Sequence, residues 1–231
     1  MLFISPPFGN YIKLPKTIPI KGSYTLNPRP GLVYQILKNL RFSFEHDGWV
    51  NKIGLRNKGL DYAIKNYKKG EEIISIAILE KGEVEIIEKK IPKDMDIELN
   101  ISCPNIEKDL CNKNLNLFLN SEREWCIIKL KPGEEIDKYY KEGFRQFHYC
   151  NTYKTERGGV SGPYLTPYVK NMILNTAEKY QDITIIAGGG VRDINTANNY
   201  ISYGSDHISV STLLFNPIKF GIFYYKWINK F

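Results

Sequence analysis

Two amides, a serine, a thiol and a proline crowd into six positions, Asn100-Ile101-Ser102-Cys103-Pro104-Asn105. They close an apolar segment, 97–101, that reads as a core strand. A plain turn needs one or two such residues. Here Asn100 and Asn105 flank a thiol, and the proline stiffens the exit. A thiolate is a competent proton acceptor when its pKa approaches working pH. Asparagine offers both a donor and an acceptor to a flat ring with amide edges. Taken alone, Cys103 would pass for a small buried hydrophobe; its neighbours point to chemistry.

Lys129 sits inside the apolar run CIIKL. A buried ammonium is costly unless it meets an anion. The reduced form of a flavin offers one near N1. Glycine runs supply a different chemistry. Gly188-Gly189-Gly190 precedes a helical stretch with Asp193 or Asn195 as N-cap, and glycine lets backbone N–H groups approach an anion closely. The stretch RGGVSGPYL, 157–165, holding Ser161 and Gly162, reads as a second glycine loop before a helix. With Ser211 and Thr212 these loops form a candidate phosphate cradle, implying a phosphate-bearing cofactor.

The elements that must position these groups are short β-branched runs at 2–5, 17–22, 73–79, 97–101, 126–130, 146–151, 183–187 and 207–211. Helical spacing recurs at 132–142, 166–180 and 193–203. Alternating strands and helices argue for a parallel sheet covered on both faces. Eight strands predict a single α/β domain over 1–231, a (β/α)8 TIM barrel with short loops. An open doubly wound sheet is the competing architecture. The C-terminal strand ends of such a barrel share one mouth. That would gather Lys21, Gly22 and Ser23, Asn100 to Asn105, Lys129, Asn151 and Thr152, the triple glycine, and Ser211 with Thr212. The segment 48–59, GWVNKIGLRNKG, fits no barrel strand and is expected as a hairpin or loop over that mouth.

Composition narrows the class. Hydrophobic residues at 42% and charged residues at 25% suit an ordinary globular protein. No apolar run approaches the roughly 18 residues that span a bilayer, and the start lacks the features of a signal peptide. The formal charge of +7 comes from scattered lysines with acidic neighbours. No nucleic-acid motif accompanies it. Cys103, Cys111, Cys126 and Cys150 form no CxxC pair, which speaks for reduced thiols and against a disulfide framework or an iron–sulfur cluster. The expectation is a cytoplasmic protein acting on a small molecule, with no nucleic-acid or membrane partner and no metal.

The motifs together resemble the catalytic domain of the dihydroorotate dehydrogenase family. NISCPN carries most of the likeness. KGSYTLNPRPG, VNKIGLRNKGLDY, IIKLKP, NT followed by GGVSGPYLTP, IIAGGGV and ISVST support it in order. The resemblance implies an FMN enzyme on a (β/α) barrel that oxidises dihydroorotate in pyrimidine synthesis. It implies that Cys103 takes the C5 proton while C6 gives a hydride to flavin N5. Cysteine at this position matches the soluble branch. Asn51, Asn100, Asn105, Asn151 and Thr152 then match positions that hold the pyrimidine ring. Backbone groups of Ile53, Gly54 and Leu55 match the loop that grips the substrate carboxylate. Lys21 matches a lysine near both flavin and substrate, Lys129 the one beside flavin N1, and Gly162, Gly189, Gly190, Ser211 and Thr212 the phosphate cradle. A homodimer is plausible on the same ground. The chain departs from the pattern in its SPPFG first strand, in Lys52 and Arg56 of the substrate loop, and in the segment after Asn105. Two other readings compete: a transfer-RNA dihydrouridine synthase-like flavoenzyme, and a barrel kept as a scaffold without catalysis.

Overall fold

The computed structural model describes residues 1–101 and 114–230. In chain order the elements are β1 (Leu2–Ile4), β2 (Thr17–Tyr24), α1 (Leu32–Asn39), β3 (Arg41–Ser43), β4 (Gly48–Asn51) and α2 (Leu60–Asn66). Then come β5 (Ile73–Ala77), α3 (Glu83–Lys90), β6 (Ile97–Asn100), β7 (Cys126–Leu130), α4 (Asp137–Lys141) and β8 (Gln146–Tyr149). The last are β9 (Tyr153–Thr155), β10 (Gly158–Ser161), α5 (Thr166–Lys179), β11 (Thr184–Ala187), α6 (Ile194–Ser202), β12 (His207–Val210) and α7 (Pro217–Ile228).

Eight strands close into a barrel in the order β1-β12-β11-β8-β7-β6-β5-β2. Every neighbouring pair is parallel. This is the expected (β/α)8 barrel, and closure excludes the open doubly wound alternative. Period-two alternation explains it. On β7, Cys126, Ile128 and Leu130 join the layer packed beneath the helices, while Ile127, and Trp125 just before the strand, point inward. The inward floor is a separate apolar cluster of Phe3, Ile20, Ile73, Trp125, Ile127 and Ile186. The rings of Phe3 and Trp125 meet edge to face there, 5.4 Å apart. Each such fully buried side chain contributes about 1.5–3 kcal/mol.

The helices follow sequence cues unevenly. α6 opens where expected, with the Asp193 carboxylate accepting from the Thr196 amide at 2.7 Å. α5 matches its expected span. The stretch 132–142 condenses to the short α4, because Pro132-Gly133 forms a turn with Gly133 at φ 78°.

Outside the barrel lies a four-stranded antiparallel sheet, β3-β4-β10-β9. It contains the expected excursion at 48–51, but its other half corrects the sequence reading. The stretch read as a glycine loop at 157–165 supplies strand β10, paired with β4 in the register Gly159↔Asn51 and Ser161↔Trp49. The glycines serve close pairing: a β-carbon at Gly158 would lie 2.4 Å from the Asn51 carbonyl oxygen, and one at Gly159 2.4 Å from the Thr152 hydroxyl. Among the described residues, no helix is long and apolar enough to cross a membrane.

Candidate active site

The barrel interior changes character halfway up. Above the apolar floor, the inward positions carry Ser75 on β5, Glu98 and Asn100 on β6, Lys129 on β7, His148 on β8 and Ser209 on β12. All of them are buried. Burying these polar groups is tolerable only if they satisfy one another. The Glu98 carboxylate collects most of them. Its Oε1 accepts from the Ser75 hydroxyl at 2.7 Å and from the Lys129 ammonium at 3.2 Å, and its Oε2 meets His148 Nδ1 at 2.6 Å. A second chain of bonds climbs from Ser75 to the mouth. The Ser75 and Ser23 hydroxyls lie 2.8 Å apart, Asn100 donates to Ser23 at 2.9 Å, and Asn151 donates to Asn100 at 3.0 Å.

The electrostatics follow from this packing. Burial alone would raise the Glu98 pKa; Lys129 and His148 overcome it and lower the carboxyl to about 2. Burial likewise disfavours the His148 imidazolium, but the Cys150 sulfur and the Glu98 carboxylate raise it to about 9. The same two partners outweigh burial at Lys129 and raise its ammonium. A carboxylate flanked by two cations is therefore the resting state at neutral pH.

Over this network opens a cavity of about 450 Å³, within the range of small-ligand sites. One side is formed by Asn51, Asn100, Lys129, Cys150, Asn151 and Thr152. Beside them runs the loop Ile53 to Arg56, with Gly54 at φ 73° and Leu55 at φ 54°. The Arg29 Nε braces it by donating to the Gly54 carbonyl at 3.1 Å. The other side is formed by Ser161, Gly162, Gly189, Gly190, Ser211 and Thr212, with Gly22 and Ser23 also on the lining. Gly190, at φ 87°, packs so tightly that a β-carbon would lie 2.4 Å from the Thr166 hydroxyl and 2.9 Å from its amide nitrogen. The apolar wall comprises Pro6, Pro7 and Phe8 after β1, Trp49 on β4, Phe215, and Leu32, Ile36 and Leu40 along α1. The rings of Trp49 and Phe215 lie 4.4 Å apart.

Most of the residues singled out from sequence thus converge. Lys21 and Gly188 do not line the cavity. The Lys21 ammonium turns to Glu72, 2.6 Å away, where the resemblance expects it beside flavin and substrate. Gly188 lies behind the wall and leaves room for Cys150 and His148, whose atoms a β-carbon would meet at 2.7 and 3.2 Å. Lys129 reaches the cavity as expected, but the sequence argument missed its anion, Glu98. Cys103 and Asn105 lie outside the described residues. Glu98, Ser75, His148 and Cys150 also escaped the sequence reading. Their signal was a polar residue at every second position of β6 and β8, and a single serine inside apolar β5.

A closed parallel barrel with a lysine, three asparagines and glycine turns at its C-terminal mouth defines the class: a (β/α)8-barrel enzyme. Relatives make the class particular. The chain is similar to the catalytic subunit of dihydroorotate dehydrogenase B (NAD(+)) from Thermotoga maritima, 26% identical over 263 aligned residues covering 93% of either chain. The subunit of that name from Parabacteroides distasonis is 28% identical over 233 residues, covering 85% of this chain and 74% of the relative. These similarities support a catalytic domain like that of the dihydroorotate dehydrogenases, which are oxidoreductases. Among solved structures, ligand-free DHODH from Eimeria tenella matches with a TM-score of 0.71 at 17% identity, covering 99% of this chain and 83% of that one. The same protein with ferulenol gives 0.64 at 15% identity, covering 99% and 80%. These two support the fold. No protein-family model matches the chain.

Proposed function

We propose that this chain oxidises dihydroorotate to orotate with FMN, in cytoplasmic pyrimidine synthesis. The observation that carries this reading is one cavity with two unlike sides. Small residues and hydroxyls on one side suit a phosphate, and three asparagines with a lysine on the other suit a flat amide ring. Gly162, Gly189, Gly190, Ser211 and Thr212 would hold the phosphate, with Ser161, Gly22 and Ser23 beside them. The close packing at Gly190 fits that role, since any side chain there would push the turn out of place. FMN, when bound, supplies at N5 the acceptor for the hydride that leaves substrate C6.

The protein's own groups do the rest. Asn51, Asn100 and Asn151, with Asn105 and Thr152, would orient the pyrimidine ring through its amide edges. The bond from Asn151 to Asn100 fixes the amide orientation before substrate arrives. Backbone groups of Ile53, Gly54 and Leu55 would take the carboxylate. The Cys103 thiolate would accept the C5 proton. Lys129 keeps a positive charge on the cavity floor, because Glu98 holds it protonated.

Anaerobic titration of the purified protein with dihydroorotate tests this reading. Flavin absorbance is expected to bleach, and Cys103→Ser to slow bleaching at least about a hundredfold, the low end for a lost general base. Equal rates would remove Cys103 from the chemistry. A yellow protein that dihydroorotate fails to bleach would reject the substrate, and a colourless protein would reject FMN.

A further inference from the structure

Cys150 follows β8 at an inward position and lines the cavity; the reading above gives it no task. It is half-buried and unbridged. Behind it His148 is fully buried, and the ring's Nε2 has no hydrogen-bond partner among the described residues. The opposite ring nitrogen is fixed on Glu98 at 2.6 Å. One atom each from Glu98, His148 and Cys150 lies within 4.8 Å of the others. The Lys129 ammonium completes the group from β7. The neighbours contributed by β5, the end of β11 and β12 are Ser75, Gly188 and Ser209, so among the described residues the charged or titratable groups facing this thiol are Glu98, Lys129 and His148. The ammonium against Glu98 already supplies the cation that three such ligands would otherwise attract.

The geometry points to a thiol, an imidazolium and a carboxylate that orients it, opening onto a ligand cavity: Cys150 is a nucleophile for small alkenes conjugated to a carbonyl. A thiol next to an imidazolium that a third group holds is a general pattern of an activated thiol, since the cation favours the thiolate. The step balances without an oxidant. His148 already carries its proton at pH 7, so the Cys150 proton leaves to solvent, the thiolate is held beside the imidazolium, and sulfur bonds to the β-carbon of the alkene. The π pair moves toward the carbonyl, whose developing negative charge faces the Lys129 ammonium. The α-carbon then takes a proton from the His148 imidazolium, which regains one from solvent. The raised affinity of His148 for its proton keeps the imidazolium in place beside the thiolate until that proton is needed. The inference uses the cavity of the proposed function but none of its redox chemistry.

Acrylamide is the probe, added to the protein as purified at pH 7, with alkylation of each cysteine followed by peptide mass mapping. Cys126 is the internal control, because burial pushes its thiol up to about 12. Cys150 is expected to label at least about tenfold faster than Cys126. His148→Gln is expected to slow Cys150 by about a hundredfold while Cys126 stays unlabelled, which also reports an intact fold. Equal Cys150 rates in parent and variant would overturn the proposal. If the variant unfolds, the parent decides alone: Cys150 labelling no faster than Cys126 would overturn it. The readout is mass, not turnover. A protein that labels at Cys150 yet ignores dihydroorotate refutes the proposed function and leaves this inference standing.

Discussion

Glu98→Gln is the sharpest perturbation the structure offers. The substitution keeps shape and removes charge. Glutamine can still accept from Ser75 or Lys129, but its NH2 group then faces a cation that the carboxylate once neutralised. The carboxyl is lowered from 4.5 to about 2 on folding. At about 1.4 kcal/mol per pH unit, that is a contribution of about 3 kcal/mol. Losing one partner of a buried ion pair costs about 3–5 kcal/mol, which agrees. For a chain of this length, about 3 kcal/mol lowers Tm by roughly 6–12 °C. The sign with pH is fixed. A depressed carboxyl stabilises the fold above about pH 4.5, and the contribution is lost as pH falls toward 2. His148, raised from 6.5 to about 9, stabilises below 6.5 and loses its contribution as pH rises through 9. Denaturant unfolding followed by tryptophan fluorescence at pH 6 should therefore show the full deficit of the variant, and the deficit should narrow between pH 4.5 and 2. A deficit under about 1 kcal/mol at pH 6, or one that persists unchanged in acid, would refute the reasoning. Replacing Glu98 and Lys129 by methionine and His148 by glutamine should recover at least half of the loss, since no unpaired charge then stays behind.

Other outcomes follow from single contacts. Gly190→Ala places a methyl against Thr166 at positive φ; about 1–3 kcal/mol of stability should go, and the flavin-to-protein ratio after dialysis should fall. Asn100→Ala breaks the bonds to Ser23 and Asn151. A buried partner left unsatisfied costs about 1–3 kcal/mol, so kcat/KM for dihydroorotate should drop roughly 5–150-fold with little change in far-UV circular dichroism. Trp125→Ala empties the barrel floor beside Phe3 and should cost about 3–5 kcal/mol in urea unfolding.

The barrel was legible because its strands carry two signals at once, β-branched runs and separation by helical spacing. The cavity side formed by Asn100, Asn151 and Thr152 was legible because polar residues cluster where strands end. The small sheet was hidden for a physical reason. β10 is written in Gly158-Gly159, residues that signal a turn, and only the approach of Asn51 and Thr152 shows why side chains are forbidden there. The Glu98 network was hidden differently. A lysine in an apolar strand announces that it needs an anion, but not whether a ligand or a neighbouring strand provides it. Three-dimensional register decides that, with Lys129 level with Asn100 on one side and His148 on the other.

The pairing of β4 with β10 ties together chain segments more than a hundred positions apart. Asn51, on the asparagine side of the cavity, is level with Gly159; two residues along β10, Ser161 is level with Trp49 and leads into Gly162. The two sides of the cavity are therefore stitched into one ribbon. Lengthening or shortening either hairpin would slide both recognition surfaces together, so this protein can retune one only by substitution, not by insertion.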